Sequence, residues 1–321
     1  MKAITYSKYG GPEVLQLKEI EKPSPKDNEV LIKVHAASIN DWDMGLLKGD
    51  FVNRIINGLL KPKRKIVGSD IAGRIEAVGK NISKFKIGDD VYGDLSGRWG
   101  GFAEYVCAPE KYLALKPPAM SYIDAASIPQ AAMLAVQGLI DKGKIQPGQK
   151  LLINGAGGGV GTFGIQIAKT FGVESTAVDS NSKLDMLRSI GFDHVIDYKK
   201  EDFTKNGKQY DLILDAKTNR SIFKYAHALA PHGKYVTVGG FNSRLLQALI
   251  VGPLISMMHK KKIIIVPLKQ NKDLLYMNEL FEAGKMKPVI DGPYKITEFQ
   301  EAFRVYSKAE QKGKVVITMS S

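Results

Sequence analysis

Cysteine is nearly absent: Cys107 is the single one in 321 residues. One thiol cannot form an intramolecular disulfide or a thiolate-rich zinc site. It lies in the strand-like run 103–108, which points to a packed thiol rather than a nucleophile. The five histidines, at positions 35, 194, 227, 232 and 259, show no HExxH or other short ligand spacing, so each reads as structural or exposed. Long apolar runs are missing too. The longest, Leu245–Met258, has 14 residues, contains Gly252 and Pro253, and is too short to cross a bilayer. The opening MKAITYSKYGG reaches glycine before an apolar run develops, so a secretory leader is not expected and a cytoplasmic location is. Acidic residues are outnumbered, 33 against 46 basic ones, for a net charge of +13. The lysines are dispersed instead of gathered with aromatics in one patch. That is the pattern of a solvated surface that also attracts a phosphorylated ligand, and nucleic acid is not expected as a partner.

What is present is ordinary for a globular enzyme, 44% apolar and 25% charged, in a chain long enough for two domains. Its most informative stretch is LLINGAGGGVG, residues 151–161. Leu151, Leu152 and Ile153 suit a buried parallel strand. Gly155, Gly157, Gly158, Gly159 and Gly161 suit a tight turn, and Val160, Gly164, Ile167 and Ala168 then recur at helical spacing. The N–H groups and dipole of such a helix start favour a phosphate. The fingerprint reads Ala156-x-Gly158-x-x-Gly161, with Gly159 and Val160 inside it. A second apolar strand ends at Asp179, where a dinucleotide fold holds ribose hydroxyls.

Residues 1–122 read as short strands: Lys2–Tyr6, Leu15–Ile20, Glu29–Ala37, Asp70–Val78, Asp90–Tyr92 and Ala103–Val106. Proline and glycine punctuate them, as in a small barrel. Asn40–Lys65 reads as a long irregular loop with several basic residues, and such loops are usually functional. From 123 to 286 strand and helix patterns alternate, the mark of a doubly wound α/β sheet. Arg244–Lys262 is apolar nearly all round and ends in His259 and three lysines. Two readings stand, burial at a subunit or domain interface and a basic-tipped helix lying on a membrane, with Gly252-Pro253 expected to interrupt any long helix. Residues 287–321 are strand-like again and are expected to rejoin the first domain.

Taken together, MKAITYSKYGGPEVLQLKEIEKP, EVLIKVHAASINDWD, IVGSDIAGRIEAVG, FKIGDDVYGDL, GGFAEYV, GAGGGVG, HVIDY, KYVTVGG and KGKVVI resemble the zinc-independent medium-chain dehydrogenase/reductases. The resemblance is to the quinone oxidoreductase and zeta-crystallin branch, and it covers nearly the whole chain. It implies a chaperonin-like (GroES-like) β-barrel catalytic domain, a Rossmann domain of doubly wound parallel sheet, a nicotinamide cofactor in the cleft and a homodimer. Zinc-dependent relatives carry cysteine where this chain has Asn40 and a His-Glu pair where it has Ser69-Asp70, so no metal is expected. Without a Lewis acid, alcohol oxidation is difficult, whereas a quinone or an α,β-unsaturated ketone is already electrophilic by conjugation.

By the same resemblance Asn40 and Asp43 fall at the nicotinamide and substrate end, Asn40 to orient an oxygen or amide and Asp43 to order its loop. Tyr198 matches a tyrosine near the adenosine phosphate, Gly239, Gly240 and Phe241 a loop beside the nicotinamide, and Lys314 a residue on the cofactor side. Trp42, Phe51 and Trp99 are expected to line the acceptor pocket. The branch's usual threonine before the Rossmann domain is Leu134 here. Members of the branch commonly use NADPH. Asp179 repels a 2′-phosphate and favours NADH, while Ser180 and Lys183 are able to receive a phosphate. The competing function from another class is a zeta-crystallin-like binding protein, for RNA or a membrane surface, with a weakly catalytic site.

Overall fold

The computed structural model describes residues 1–319, except the side chains of Met258 and His259; the readings of those two residues lie outside it. The alternating runs of the N-terminal third become β1 (Lys2–Thr5), β2 (Gln16–Glu19), β3 (Glu29–Ser38), β4 (Asp70–Val78), β5 (Asp90–Asp94), β6 (Tyr105–Pro109) and β7 (Ala114–Leu115). Between β3 and β4 lie helices α1 (Asp41–Lys48) and α2 (Phe51–Asn57), and after β7 comes α3 (Tyr122–Ser127). The 40–65 stretch is therefore not an irregular loop. Asn40 and Asp43 form a capping box at the start of α1, which stops at Gly49 in the left-handed conformation (φ 63°). Asp50 then caps α2 by accepting the Asn53 N–H at 2.9 Å.

The next segment holds α4 (Pro129–Val136), β8 (Lys150–Asn154), α5 (Gly159–Lys169), β9 (Glu174–Asp179), α6 (Leu184–Ser189), β10 (His194–Asp197), β11 (Tyr210–Asp215), α7 (Ile222–Ala228), β12 (Leu229–Thr237), α8 (Asn242–His259) and β13 (Lys262–Ile265). The chain closes with α9 (Leu274–Glu282), β14 (Ile290–Lys295), α10 (Phe299–Ser307) and β15 (Lys314–Thr318).

Residues 1–130 and 270–321 form one unit and 131–269 the other. The sequence places these boundaries at 122/123 and 286/287. They differ because α3 packs on β3 and β4, and because Asn271 and Asn278 hydrogen-bond to Asp94 and Tyr92. In the first unit the sheet runs β14-β15-β3-β4-β5-β7, with β6 also paired to β3 and β1-β2 as a separate ribbon. Its core gathers Ile4, Val30, Ile32, Ile71, Val91, Phe102, Phe303 and Val315, all out of contact with solvent. Register matters most for function: Ser38 stands opposite Asp70, and Asp70 opposite Asp94. Three polar side chains from three strands thus line up across the sheet.

In the second unit β10-β9-β8-β11-β12-β13 is a parallel sheet, the doubly wound order with β8 and β11 at the switch point. Helix α8 runs unbroken through Pro253, contrary to the interruption expected from Gly252-Pro253. Its inner side, with Ala248 and Ile255 buried, packs on the sheet. Gly252 lies against Ile263, close enough that a Cβ would meet that side chain at 3.0 Å. Proline removes one helical donor here, and packing along the rest of the helix offsets it.

Candidate active site

In the second unit, β8 ends at Asn154 and the chain turns through Gly155, whose φ of 80° an L side chain adopts only with strain. Helix α5 begins after Gly158, its cap. Gly161 is required by packing: a Cβ there would sit 2.3 Å from the Ala156 carbonyl oxygen. Gly158 is different, because a Cβ there would meet nothing closer than 3.6 Å. Protein packing leaves that position open, on the side where the first N–H groups of α5 are free to receive an anion. A dinucleotide pyrophosphate fits such a cradle.

At the end of β9, Asp179 accepts from the Gly157 N–H at 2.7 Å and the Ser180 N–H at 2.8 Å. The glycine turn and the carboxylate therefore hold each other. Lys183, expected as a phosphate ligand, is buried with its ammonium 3.7 Å from Asp179. The hydroxyls of Ser180 and Ser182 are 3.2 Å apart. Tyr198 donates its backbone N–H to the Asp179 backbone carbonyl at 3.1 Å, and its ring is half exposed. Gly239 and Gly240 follow β12, where Thr218 bonds the Gly239 carbonyl, and Phe241 is exposed. Sequence reasoning missed two neighbours. Asp215, at the end of β11, accepts from Asn154 at 2.8 Å and from Tyr235 at 2.9 Å. The aliphatic stem of Lys217 lies against Gly155. An acid closing an apolar strand, Tyr210–Asp215, was the available signal.

The first unit holds a buried polar cluster at the ends of β3, β4 and β5. Asn40 donates to Ser69 Oγ at 3.0 Å and accepts from Lys314 Nζ. Lys314 also reaches Asp70 at 3.5 Å and the Ile39 carbonyl at 3.3 Å. Expected beside the cofactor, Lys314 spends its donors inside this unit. Asp43 accepts the backbone N–H groups of Asn40 and Gly68, each at 2.9 Å, and so ties the start of α1 to the segment before β4. Asp70 also takes the Gln130 N–H at 3.2 Å, and Gln130 links onward through Ser96 to Asp94. Oδ2 of Asp94 is buried without a partner. Asp94, Ser96 and Gln130 were not singled out from sequence, because only strand register brings them to Asp70. Trp42 and Trp99 stack at 6.4 Å, Trp99 buried under Arg64 and Trp42 half exposed, whereas Phe51 points to solvent at 76% exposure.

Burial pushes the carboxyls of Asp43 and Asp94 up to about 7, and Asp70 is raised as well despite the Lys314 ammonium. For each, the folded state binds its proton more tightly than the unfolded chain does. Stability from these groups is therefore greatest in acid and falls as pH rises from about 4 towards 7. The thermal midpoint is expected to drop between pH 5 and pH 8, and Asp94→Asn to flatten that drop. A midpoint that rises over this range, or a slope unchanged in Asp94→Asn, contradicts the assignment. Cys107 is half-buried and its thiol is pushed up to about 11, also by burial. Among the described residues, no group of three or more His, Cys, Asp or Glu side chains is placed to hold a metal ion.

A parallel sheet in doubly wound order with a glycine turn at its switch point has the architecture of a dinucleotide-binding protein, here joined to a unit rich in antiparallel strands. Two family models match, an alcohol dehydrogenase GroES-like domain over residues 26–118 and a zinc-binding dehydrogenase over residues 190–317. The 2-methylene-furan-3-one reductase of Solanum lycopersicum is 34% identical over 99% of this chain and 79% of its own. The chloroplastic NADPH-dependent alkenal/one oxidoreductase of Arabidopsis thaliana is 33% identical over the same shares. The solved quinone oxidoreductase of Coxiella burnetii superposes with a TM-score of 0.87 at 27% identity, covering 100% of this chain and 99% of that one. The chain belongs to the medium-chain dehydrogenase/reductase family, in its quinone oxidoreductase branch.

Proposed function

We propose that this enzyme transfers hydride from NAD(P)H to a quinone or an α,β-unsaturated carbonyl, without zinc. The observation that carries the reading is the open position at Gly158 ahead of α5, with Asp179 locked to the same turn. Gly158, Gly159, Val160 and Gly161 would hold the pyrophosphate, Asp179 the ribose, and Tyr198 and the 239–241 loop the two ends. When bound, the nicotinamide supplies a hydride, and the chain binds and orients. The acceptor class rests on the activities named for the tomato, Arabidopsis and Coxiella relatives and on chemistry. A conjugated carbonyl takes hydride with little electrophilic help. Zinc independence is supported by the cation that the Asn40 cluster does contain: the Lys314 ammonium, bonded to Asn40 and Asp70. Asp43 is assigned as a positioning residue, and Asn40 as the polar side chain nearest to substrate. A cytoplasmic location is part of this proposal, and cell fractionation tests it.

NADH is the preferred coenzyme in this proposal, since a 2′-phosphate would meet the Asp179 carboxylate. Parallel assays of nicotinamide oxidation with quinones and enones test both points. Turnover is expected with NADH above NADPH, and Asp179→Asn is expected to shift the ratio roughly tenfold towards NADPH by removing one charge while keeping an acceptor for Gly157. No turnover with any acceptor sinks the reaction class, and an unchanged ratio sinks the role of Asp179.

For residues 245–262, contact with a second copy is favoured over a membrane. The outer side of α8, with Leu249, Leu254 and Met257 exposed, is continuous with β13, the unpaired edge of the parallel sheet. An open edge invites strand pairing. A sedimentation mass of one chain would overturn this homodimer.

A further inference from the structure

Helix α2 is inside out. Its polar side chains face the body of the first unit and are bonded there. Asn57 is buried, donating to the Tyr6 hydroxyl at 2.8 Å and accepting the Arg64 N–H at 3.0 Å. Arg54 donates to the Gly49 carbonyl at 2.7 Å, with its guanidinium over the Tyr9 ring. Asn53 donates to Asp50 at 2.9 Å, and Tyr9 donates to the Gly58 carbonyl at 2.6 Å. The apolar side chains point the other way. Phe51, Val52, Ile55 and Ile56 of α2 are all exposed, and Leu59 and Leu60, immediately after it, are 63% and 88% exposed. Spacing of i, i+1, i+4 and i+5 puts the four helical ones on one face. Solution folding would turn that face inward. Here the hydrogen bonds of Asn57, Arg54 and Tyr9 fix it outward, so an exposed apolar patch is built into the fold rather than left by a loose loop.

The chemistry around the patch says what covers it. Directly after Leu60 comes Lys61-Pro62-Lys63-Arg64-Lys65, with Lys61, Lys63 and Lys65 exposed. A two-fold contact centred on this patch would crowd the two basic segments at the axis, in a chain already at +13. A nucleic acid would use the lysines and could stack one base on Phe51, but it has no place for the five aliphatic side chains Val52, Ile55, Ile56, Leu59 and Leu60. A surface that is apolar below and anionic above satisfies both halves at once, and that surface is a bilayer containing acidic lipids. We propose that Phe51–Lys65 docks the protein reversibly on anionic membranes, with Ile55, Ile56, Leu59 and Leu60 entering the acyl boundary and Lys61, Lys63 and Lys65 at the headgroups. The docking is independent of which coenzyme or acceptor the enzyme uses.

The test is flotation of the full chain with vesicles of phosphatidylcholine alone and with 30% phosphatidylglycerol (about that fraction suffices for a negative surface). The protein is expected to float with the anionic vesicles and not with the neutral ones. Leu59→Ser/Leu60→Ser is expected to abolish flotation. Lys61→Gln/Lys63→Gln/Lys65→Gln is expected to weaken partitioning about fivefold per lysine removed. Leu249→Ser/Leu254→Ser on α8 is expected to float like the parent. Circular dichroism and nicotinamide oxidation confirm that each variant is folded. Failure of the parent to float with anionic vesicles at low salt overturns the proposal. So does flotation that survives Leu59→Ser/Leu60→Ser, flotation lost only in the α8 variant, or a patch found by crosslinking to cover a second copy or RNA instead.

Discussion

Lys314→Met is expected to cost about 3 kcal/mol of stability at pH 8, because breaking a buried ion pair leaves its partner charge uncompensated. The partner is Asp70, wholly buried, with its carboxylate 3.5 Å from the ammonium. Asp70 keeps the Gln130 N–H and the Ser38 hydroxyl, but neither carries a positive charge. With the lysine gone, the carboxyl, already raised by burial, rises further and takes up a proton. A raised folded-state value means that the loss is full above that value and shrinks as pH falls towards about 4, the unfolded carboxyl's own range. Denaturation in urea at pH 5 and pH 8 reads both the size and the sign. Adding Asp70→Asn to Lys314→Met is expected to recover much of the loss, as coupled neighbours do. A pH-independent loss below about 1 kcal/mol would show that Lys314 does not balance Asp70.

Substitution at two glycines three residues apart is expected to separate folding from cofactor binding. Gly161→Ala places a methyl 2.3 Å from the Ala156 carbonyl oxygen, and backbone cannot yield as a side-chain tip can. The helix must move off the strand, at a cost of about 3 kcal/mol. Gly158→Ala meets nothing within 3.6 Å and keeps an ordinary extended conformation (φ −90°), so the fold is expected to change by less than about 1 kcal/mol. The methyl then fills the cradle that the pyrophosphate needs. Dinucleotide affinity is expected to fall on the order of a hundredfold, the scale of a small misplacement at a binding site. Calorimetric titration beside thermal unfolding distinguishes the two. A Gly158→Ala protein that binds the dinucleotide normally would remove the turn from the cofactor site.

Much of the fold is visible in local pattern. The sequence run Asp70–Val78 is β4 residue for residue, and strand, glycine turn, helix and terminal acid occur at 150–179 in the order read. The failures have local causes. In Asn40–Lys65 the buried apolar set of α1 is only Met44, Leu46 and Leu47, too short a run to show helical period, and the apolar residues of α2 face outward, so capping at Asn40 and Asp50 is the clearer sign of the two helices. Pro253 looks like a breaker, yet α8 is held along its length by Ala248, Gly252 and Ile255.

The candidate site divides in the same way. The proposed pyrophosphate and ribose residues, Ala156 to Asp179, share the single unit β8-α5-β9, so spacing reveals them, whereas the 239–241 loop and Lys314 are distant in sequence. Asp94, Gln130 and Lys314 meet Asn40 and Asp70 through strand pairing and return of the chain's tail, which no short window displays. Lys314 stands out in the closing motif, but only the folded chain shows that its partners are Asn40 and Asp70.

The central claim is hydride transfer to a conjugated acceptor, and isotope tracing tests it most directly. The protein would be given an enone and NADH carrying deuterium at the transferable C4 position, and the product examined by mass spectrometry and NMR. The account predicts one deuterium at the carbon β to the carbonyl and a solvent proton at the α carbon, with the nicotinamide oxidised in equal amount. A product that takes both hydrogens from solvent, or label delivered to the carbonyl carbon to give an alcohol, would contradict it.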